Sequence, residues 1–434
     1  MYNSYKRFIQ SLDPYNKDLR IAVSYSGGAD SGVLLYLTLK LYEDGLISRP
    51  AAVYFNHNLR GKESVSEERF VKKTCAGYGI DIIVINLDVL SYAERKSLTI
   101  ETAARELRYS DYEMIARKFD FIAQGHHSDD NAETVFFNIM RGAGLEGACG
   151  IKKIRGAFIR PLLEFTRSEI SDYARRNRIE FVEDSSNIKT EFSRNRIRNI
   201  IFPMIEKELN RDIKNSLNGF SRSLTEARDY INKISEKTFS KIVRSSAGFS
   251  VIDQRRFVDL EPVLRTTVLQ KAFKSTGCLY SPDKIKTAII KDVIQKNPGS
   301  IFQTADYSVS THGNNIIIMN KKEFCSNTTI GLSEKRRSEF FFDVSKVKGN
   351  LRTDKISLND FFIPFGKKKA EKISKVLSDK KIPPALREHM FCLRDDEKII
   401  FIQGSGISSS VGKDDVTENI MYINVKNDIL KKLF

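Results

Sequence analysis

The sequence predicts an α/β protein: a doubly wound parallel sheet over roughly the first 200 residues, then a mainly helical domain and a small α+β domain. Three observations predict this. Short β-type runs alternate with longer helical patterns from about residue 20, as parallel βαβ units require. After Pro203 the turn signals thin out and EKELNRDIKNSLNGFSRSLTEARDYINKISEKTF reads as helix, ahead of a hairpin-like FSVIDQRRF. Beyond about residue 340, short strands and turns return in FFDVSKVKGNLRTDKISLND and EKIIFIQGSGIS.

The strands of the first part are expected at Ile21 to Ser24, Ala51 to Asn56, Asp81 to Asn86 and Phe121 to Gly125. Between and after them, Ser31 to Tyr42, Ser64 to Ala76, Thr99 to Phe119 and Asn131 to Met140 carry apolar residues at three- and four-residue spacing, which predicts helices. In such a sheet, ligands bind outside the carboxyl ends of the strands. The expected domains are 1–214, 215–320 and 340–434, with a basic linker at 321–339.

A chain of 434 residues with 41% hydrophobic content can bury several cores. Lys and Arg number 71 against 55 Asp and Glu, a net charge of +16 that favours a polyanionic partner such as nucleic acid. Solubility alone is the plainer explanation. The charge is uneven, since residues 321–381 hold 16 Lys and Arg against 8 Asp and Glu, where a polyanion can be gripped. Cys75, Cys149, Cys278, Cys325 and Cys392 are scattered, with no CxxC and no zinc-ligand spacing, and read as reduced thiols. The start MYNSYKRFIQSLDPYNKD has no signal-peptide core, and no apolar span reaches the ~18 residues a membrane helix needs. A soluble, cytoplasmic protein with no membrane partner is expected.

The stretch VSYSGGADS, Val23 to Ser31, lies between the first strand and the first long helix. Gly27 and Gly28 permit a sharp turn with no side chain between the amides and a ligand, and the following helix offers free N–H groups and the positive end of its dipole. The loop is built to hold an anion, most plausibly phosphate. It is neither GxxxxGK[ST] nor GxGxxG. Ser26 and Ser31 add hydroxyl donors, and Asp30 offers a carboxylate for Mg²⁺ or for a helix N-cap.

Ser26-Gly27-Gly28-Ala29-Asp30-Ser31 resembles the SGGxDS loop of the ATP pyrophosphatase (PP-loop) family, whose loop cradles the pyrophosphate of ATP while the substrate is adenylated. Later segments resemble the tRNA(Ile)-lysidine synthase family within it: FNHNLRGKESVSEE (Phe55 to Glu68), ETAARELRY (Glu101 to Tyr109), QGHHSDDNAETVFFNIMRGAG (Gln124 to Gly144), RPLLEFTRSEI and EDSSNIKTEFSRNRIRNIIFP. KKIPPALREHMFCLRDDEKIIFIQG resembles the carboxyl-terminal domain of that family's long form. Asn131, Lys189 and Ala385 depart from it, standing where Gln, an acidic residue and Trp are common.

The resemblance implies ligation of free L-lysine, with ATP, to carbon 2 of the wobble cytidine in the CAU anticodon of tRNA(Ile). Codon reading then changes from AUG to AUA. It implies an ATP-binding catalytic domain at 1–214, tRNA-binding domains beyond it, and a homodimer. Ser26 to Ser31, Asn56 and His57 are its nucleotide contacts. Asp30 and Asp130 are the Mg²⁺ candidates, hard oxygen donors for a hard ion. A helix N-cap at Asp130, with Glu133 completing a capping box, is the alternative. Glu133 orients the lysine amine or takes its proton.

Arg105, Arg194 and Arg198 suit charge on the intermediate or tRNA phosphates, and Arg108 and Asn195 join them as tRNA candidates. Surface salt bridging is the simpler reading for Arg108. His57, His126 and His127 lie near strand ends, and the HH pair reads more readily as packed or solvated than as catalytic. Lys367, Lys368, Lys369 and Arg387, near Pro383-Pro384, are candidate backbone contacts. A tRNA thiolase needs paired reactive cysteines, which are lacking at short spacing. A non-catalytic nucleotide- or RNA-binding module has no use for the full set Asp30, Asp130, Glu133 and Arg198.

Overall fold

The computed structural model describes the chain apart from residues 14–17, 59–60, 183–192, 279–286, 288–289, 293, 295–300, 336–337, 397, 415–416, 418 and 427–434. Departure Lys189 therefore lies outside the described residues. Contacts divide the chain into two units, Met1–Arg228 and Asp229–Phe434.

The first unit opens with α1 (Tyr2–Leu12), then β1 (Ile21–Ser24), α2 (Ala29–Glu43), β2 (Ala51–Asn56), α3 (Lys62–Gly77) and β3 (Asp81–Asn86). Next come α4 (Val89–Lys96), α5 (Ile100–Ile115), β4 (Phe121–Ala123), α6 (Ser128–Met140), α7 (Leu145–Ala148), the hairpin β5 (Ile154–Arg155) and β6 (Phe158–Ile159), and α8 (Arg167–Arg176). The strands form one sheet in the order β3-β2-β1-β4-β6-β5, parallel except for β5. Three of the four expected strands match to the residue. The fourth ends at Ala123, although Gln124 still donates its amide to the Ile159 carbonyl (2.9 Å). Thr99, expected inside a helix, instead caps α5 by accepting from the Thr102 amide.

β1 is central and fully apolar at Ile21, Ala22 and Val23, all buried. α2 buries residues on every side (Val33, Leu34, Leu35, Leu37, Leu39, Leu41) because it lies between the sheet, α1 and α8, as a helix apolar all round must. The unit closes with α9 (Ser193–Arg196), a π-helical turn Ile197–Ile201, α10 (Phe202–Leu209) and α11 (Ile213–Ile242), within which the chain passes to the second unit.

The second unit contains the sheet β7-β8-β11-β10-β9, built from Val243–Ser246, Phe249–Asp253, Ile301–Gln303, Tyr307–His312 and Asn315–Asn320, with every pairing antiparallel. Alternation along its strands buries both faces. Ile252, Ile316 and Ile318 pack with Val268, Leu269 and Phe273 of the helix Pro262–Ser275. Val251, Ile317 and Met319 join Ile373, Leu377, Leu386 and Ile402 of the carboxyl-terminal region. The helices read from the sequence up to about residue 275 are present, but FSVIDQRRF is not a hairpin: it is strand β8 followed by a short helix, Gln254–Val258, because Asp253 caps that helix by accepting the Arg256 amide, and β8 pairs instead with β7 and β11. Beyond it lie a four-stranded, a three-stranded and a two-stranded sheet.

Candidate active site

Neighbouring parallel strands deliver the site. β1 runs through the SGGADS loop into α2, and β4 runs through Gly125, His126 and His127 into α6, so both helices begin at the same carboxyl edge of the sheet. Gly125 allows them to meet: a Cβ there would lie 3.2 Å from the Ser31 amide nitrogen and 3.3 Å from the Asp30 carbonyl carbon.

Gly27 has φ +85°, a left-handed conformation that strains any side chain, and its carbonyl accepts the Val182 amide (2.9 Å). Gly28 is the N-cap of α2, and its carbonyl accepts the first helical bond, from Gly32 (2.8 Å). The amides of Ala29, Asp30 and Ser31 therefore have no acceptor within the helix. The Ser31 hydroxyl closes the loop by accepting the Ser26 amide (3.1 Å), meeting the Ser26 hydroxyl (3.0 Å) and donating to the Gly28 carbonyl (3.1 Å). The result is a rigid ring of donors at a helix N-terminus, the arrangement that holds an anion.

Asp30 is in the first turn of α2 and does not cap it. Its Oδ1 is buried with no hydrogen-bond partner among the described residues. Burial pushes its carboxyl above the usual range, opposed by His127.

Across the crevice, His127 is the N-cap of α6: its Nδ1 accepts the Asp130 amide (3.4 Å), and the Asp130 carboxylate accepts the His127 amide (3.1 Å). This reciprocal box places Asp130 third in the helix. The alternative, Asp130 as cap with Glu133 as its box partner, is not what forms. Only 2% exposed, His127 has its Nε2 3.5 Å from Asp130 Oδ2 and 3.8 Å from Asp30 Oδ2, so the imidazole stands between the two carboxylates.

Glu133, 4% exposed, pairs with Arg198: Arg198 Nε donates to Glu133 Oε1 at 2.5 Å and its Nη2 to Asp130 Oδ1 at 3.0 Å. Burial pushes the Glu133 carboxyl up, with Arg198 pulling the other way. Arg198 sits on the π-helical turn, where one extra residue per turn re-aims a side chain. The structure thus gathers Asp30, Asp130, Glu133 and Arg198 in one place.

Other candidates fall out differently. Asn56 is buried at the end of β2, with its amide donating to Glu68 (2.8 Å) and its oxygen accepting the Asn58 amide (3.0 Å), so it fixes the β2–α3 loop. His57 follows it at the strand end. The side chains of Arg105 and Arg194 lie outside the described residues, and Asn195 is on α9. Arg108 lines a cavity with Gln124 and Thr134.

In the second unit, Lys367, Lys368 and Lys369 are exposed beside the exposed rings of Phe361 and Phe365. Lys367 pairs with Glu371 (2.7 Å), and Arg387 donates to the Ile382 carbonyl (2.9 Å). Residue types and spacing alone do not reveal His127 as a cap, nor do they single out Asp129, which accepts the Arg167 amide (3.1 Å) and pairs with Lys214 (3.1 Å).

Comparison with known proteins places this geometry. A PP-loop domain family matches residues 1–205, and a TilS substrate C-terminal domain family matches residues 352–423. The tRNA(Ile)-lysidine synthase of Clostridium tetani is 29% identical over 457 residues, covering 97% of each chain. That of Bacteroides thetaiotaomicron is 30% identical over 440 residues, covering 96% of this chain and 98% of its own. Among solved structures, the U34-tRNA thiolase NcsA of Methanococcus maripaludis covers 51% of this chain and 78% of its own, at TM-score 0.42 and 23% identity. With a pyrophosphate-type loop, a carboxylate and guanidinium cluster at the sheet edge, and relatives matching over nearly their whole length, the chain belongs to the tRNA(Ile)-lysidine synthase family.

Proposed function

We propose that this protein uses ATP to join L-lysine to a cytidine of tRNA(Ile), forming lysidine at the first anticodon position. The observation that carries the reading is the convergence of Asp30, Asp130, Glu133 and Arg198 beside the open amides of Ala29 to Ser31.

The chemistry needs a better leaving group than the cytosine 2-oxygen. That oxygen attacks the α-phosphorus of ATP and pyrophosphate departs; the ε-amine of lysine then attacks carbon 2, and AMP leaves carrying the oxygen. The loop amides and the Ser26 and Ser31 hydroxyls hold the pyrophosphate. Arg198 stabilises negative charge at the α-phosphate and fixes the Glu133 carboxylate. Glu133, buried and raised, accepts a proton from the attacking amine nearer neutral pH than an ordinary glutamate does.

The residues fit Mg²⁺. Asp30 Oδ1 is a buried oxygen lacking a partner among the described residues, and Asp130 stands across His127 from it. Among the described residues no group of three or more His, Cys, Asp or Glu forms a protein cage, which suits an ion that keeps waters and phosphate oxygens in its shell. Held by Asp30 and Asp130, it would neutralise phosphate charge.

A thiolase reading finds no support in the thiols: Cys75, Cys149, Cys278, Cys325 and Cys392 stand far apart in the sequence, and burial pushes Cys75 up to about 11. Among the described residues no helix is long and apolar enough to cross a membrane. A cytoplasmic location and a homodimer belong to this proposal. The test is release of AMP and pyrophosphate by the purified protein with ATP, lysine and a CAU-anticodon tRNA(Ile), omitting each in turn. Release that requires the RNA supports the reading; equal release without RNA overturns it.

A further inference from the structure

The cavity lined by Arg108, Gln124 and Thr134, about 400 Å³, opens at the carboxyl edge of the sheet beside the catalytic helix, within the ~300–1,000 Å³ typical of small-ligand sites. One wall is α6, where Thr134, next to Glu133, lines it while donating its hydroxyl to the Asp130 carbonyl (2.8 Å). The opposite wall is α5, where Tyr112 meets the Ser24 hydroxyl (2.6 Å) at the end of β1, two residues before the loop. The cavity is therefore bounded by the helix that carries Asp130 and Glu133 and by a helix that touches the end of the strand leading into the nucleotide loop.

Among the described residues its lining has a single sign of charge: Arg108, Lys152, Arg155 and Arg160, with no Asp or Glu. Arg160 is built in, 5% exposed with Nη1 donating to the Lys152 carbonyl (2.8 Å). Lys152 pairs with Glu146 at 3.3 Å, but both side chains are about half exposed, so the pair is weak and can open. Gln124, 9% exposed, also lines the cavity, and its Oε1 has no hydrogen-bond partner among the described residues. A buried acceptor in that state gains from any donor a ligand brings.

We propose that this cavity holds the RNA nucleotide that is modified: the cationic wall grips its phosphates, and Gln124 accepts from the exocyclic amine of cytosine. The amine is the donor that separates cytosine from uracil, which presents a carbonyl oxygen there. Uridine would set that oxygen against the oxygen of Gln124, so the cavity selects the base as well as the backbone. This rests on the RNA-modifying function proposed above and adds where the base goes and what reads it.

The experiment measures binding of a fluorescent anticodon stem-loop RNA across a salt series, with C or U at the target position. The full chain is compared with Gln124→Met, Gln124→Glu and the exposed pair Lys152→Glu/Arg155→Glu, each checked by thermal melting. Wild type is expected to prefer C by about tenfold. Gln124→Met removes that preference and keeps the salt slope, whereas Gln124→Glu keeps an acceptor and so keeps the preference. The double reversal weakens binding of both RNAs and lowers the salt slope by about 2.

Unchanged preference in Gln124→Met, or an unchanged slope in the double reversal, overturns the assignment while leaving the enzyme's function standing. Wild type that binds neither RNA overturns the function as well.

Discussion

At the scale of single residues, the site places charge where burial opposes it. Burial raises the Asp30 carboxyl, so its charged form costs stability above its folded pKa, and that cost is relieved as pH falls through it. Asp30→Asn is therefore expected to raise the apo melting temperature at pH 7 by roughly 1–3 °C, with the difference shrinking in acid, while ATP turnover falls by about 10²-fold or more. Calorimetry and pyrophosphate release check the two halves. A variant that loses stability together with activity would contradict a carboxylate held there for ligand binding. Glu133 is raised in the same way, with Arg198 opposing. On the proposed role, in which the deprotonated form accepts the amine proton, kcat/KM should fall on the acid side at a higher pH than an ordinary glutamate gives. In Arg198→Ala, which removes the lowering influence, the acid limb of the residual rate should move further up. An acid limb that stays put in that variant would separate Arg198 from the protonation of Glu133.

At the scale of elements, α6 is the part on which the site depends, and its start is set by a histidine. Replacing His127 with Ala removes the acceptor for the Asp130 amide and is expected to cost about 1 kcal/mol, roughly 2–4 °C in a unit of this size. His127→Asn, a good cap, should restore most of it. Circular dichroism melts decide this, and equal loss in both variants would mean that the ring's packing matters and its capping does not. The sequence shows that a helix follows β4 and that Asp130 and Glu133 share its first turns, because the apolar spacing from Asn131 is regular. It does not show the cap. His is a poor guide to an N-cap, so residue types alone put the box three residues late, at Asp130 and Glu133. Nothing in the sequence around Asn131 signals what it does. It is buried, bonded to Asn218 (2.8 Å) and to the Ile151 amide (2.7 Å), and its partners lie 87 and 20 residues away. The π-helical turn under Arg198 is likewise unreadable, since one extra residue in a turn leaves no periodicity to detect. β1, β2 and β3 are readable to the residue because each is a continuous apolar run bounded by turn residues.

At the scale of the whole molecule, the net charge of +16 predicts RNA affinity that falls steeply with salt. Reversing Lys368 and Lys369 to Glu should lower the slope of log K against log salt by about 2 and leave tRNA-independent ATP binding unchanged. Lys367, already paired with Glu371, should contribute less than either. An unchanged slope would make that loop a solvated face. The architecture of the second unit is only partly readable. Its long helix follows from local spacing, but FSVIDQRRF reads as a hairpin and is a strand running into a helix, and strands near residues 301–320 pair with that strand from about 65 positions away, which leaves no trace in either segment alone. The central claim, lysine joined to RNA by adenylation at the Asp30 and Glu133 site, is tested most directly with radiolabelled lysine. After reaction with ATP and a CAU-anticodon tRNA(Ile), the RNA is digested and the label is mapped. The label should reside in the nucleoside from the first anticodon position, depend on ATP, and vanish in Glu133→Gln. Label absent from the RNA while ATP is still consumed, or label on another nucleotide, would contradict the account.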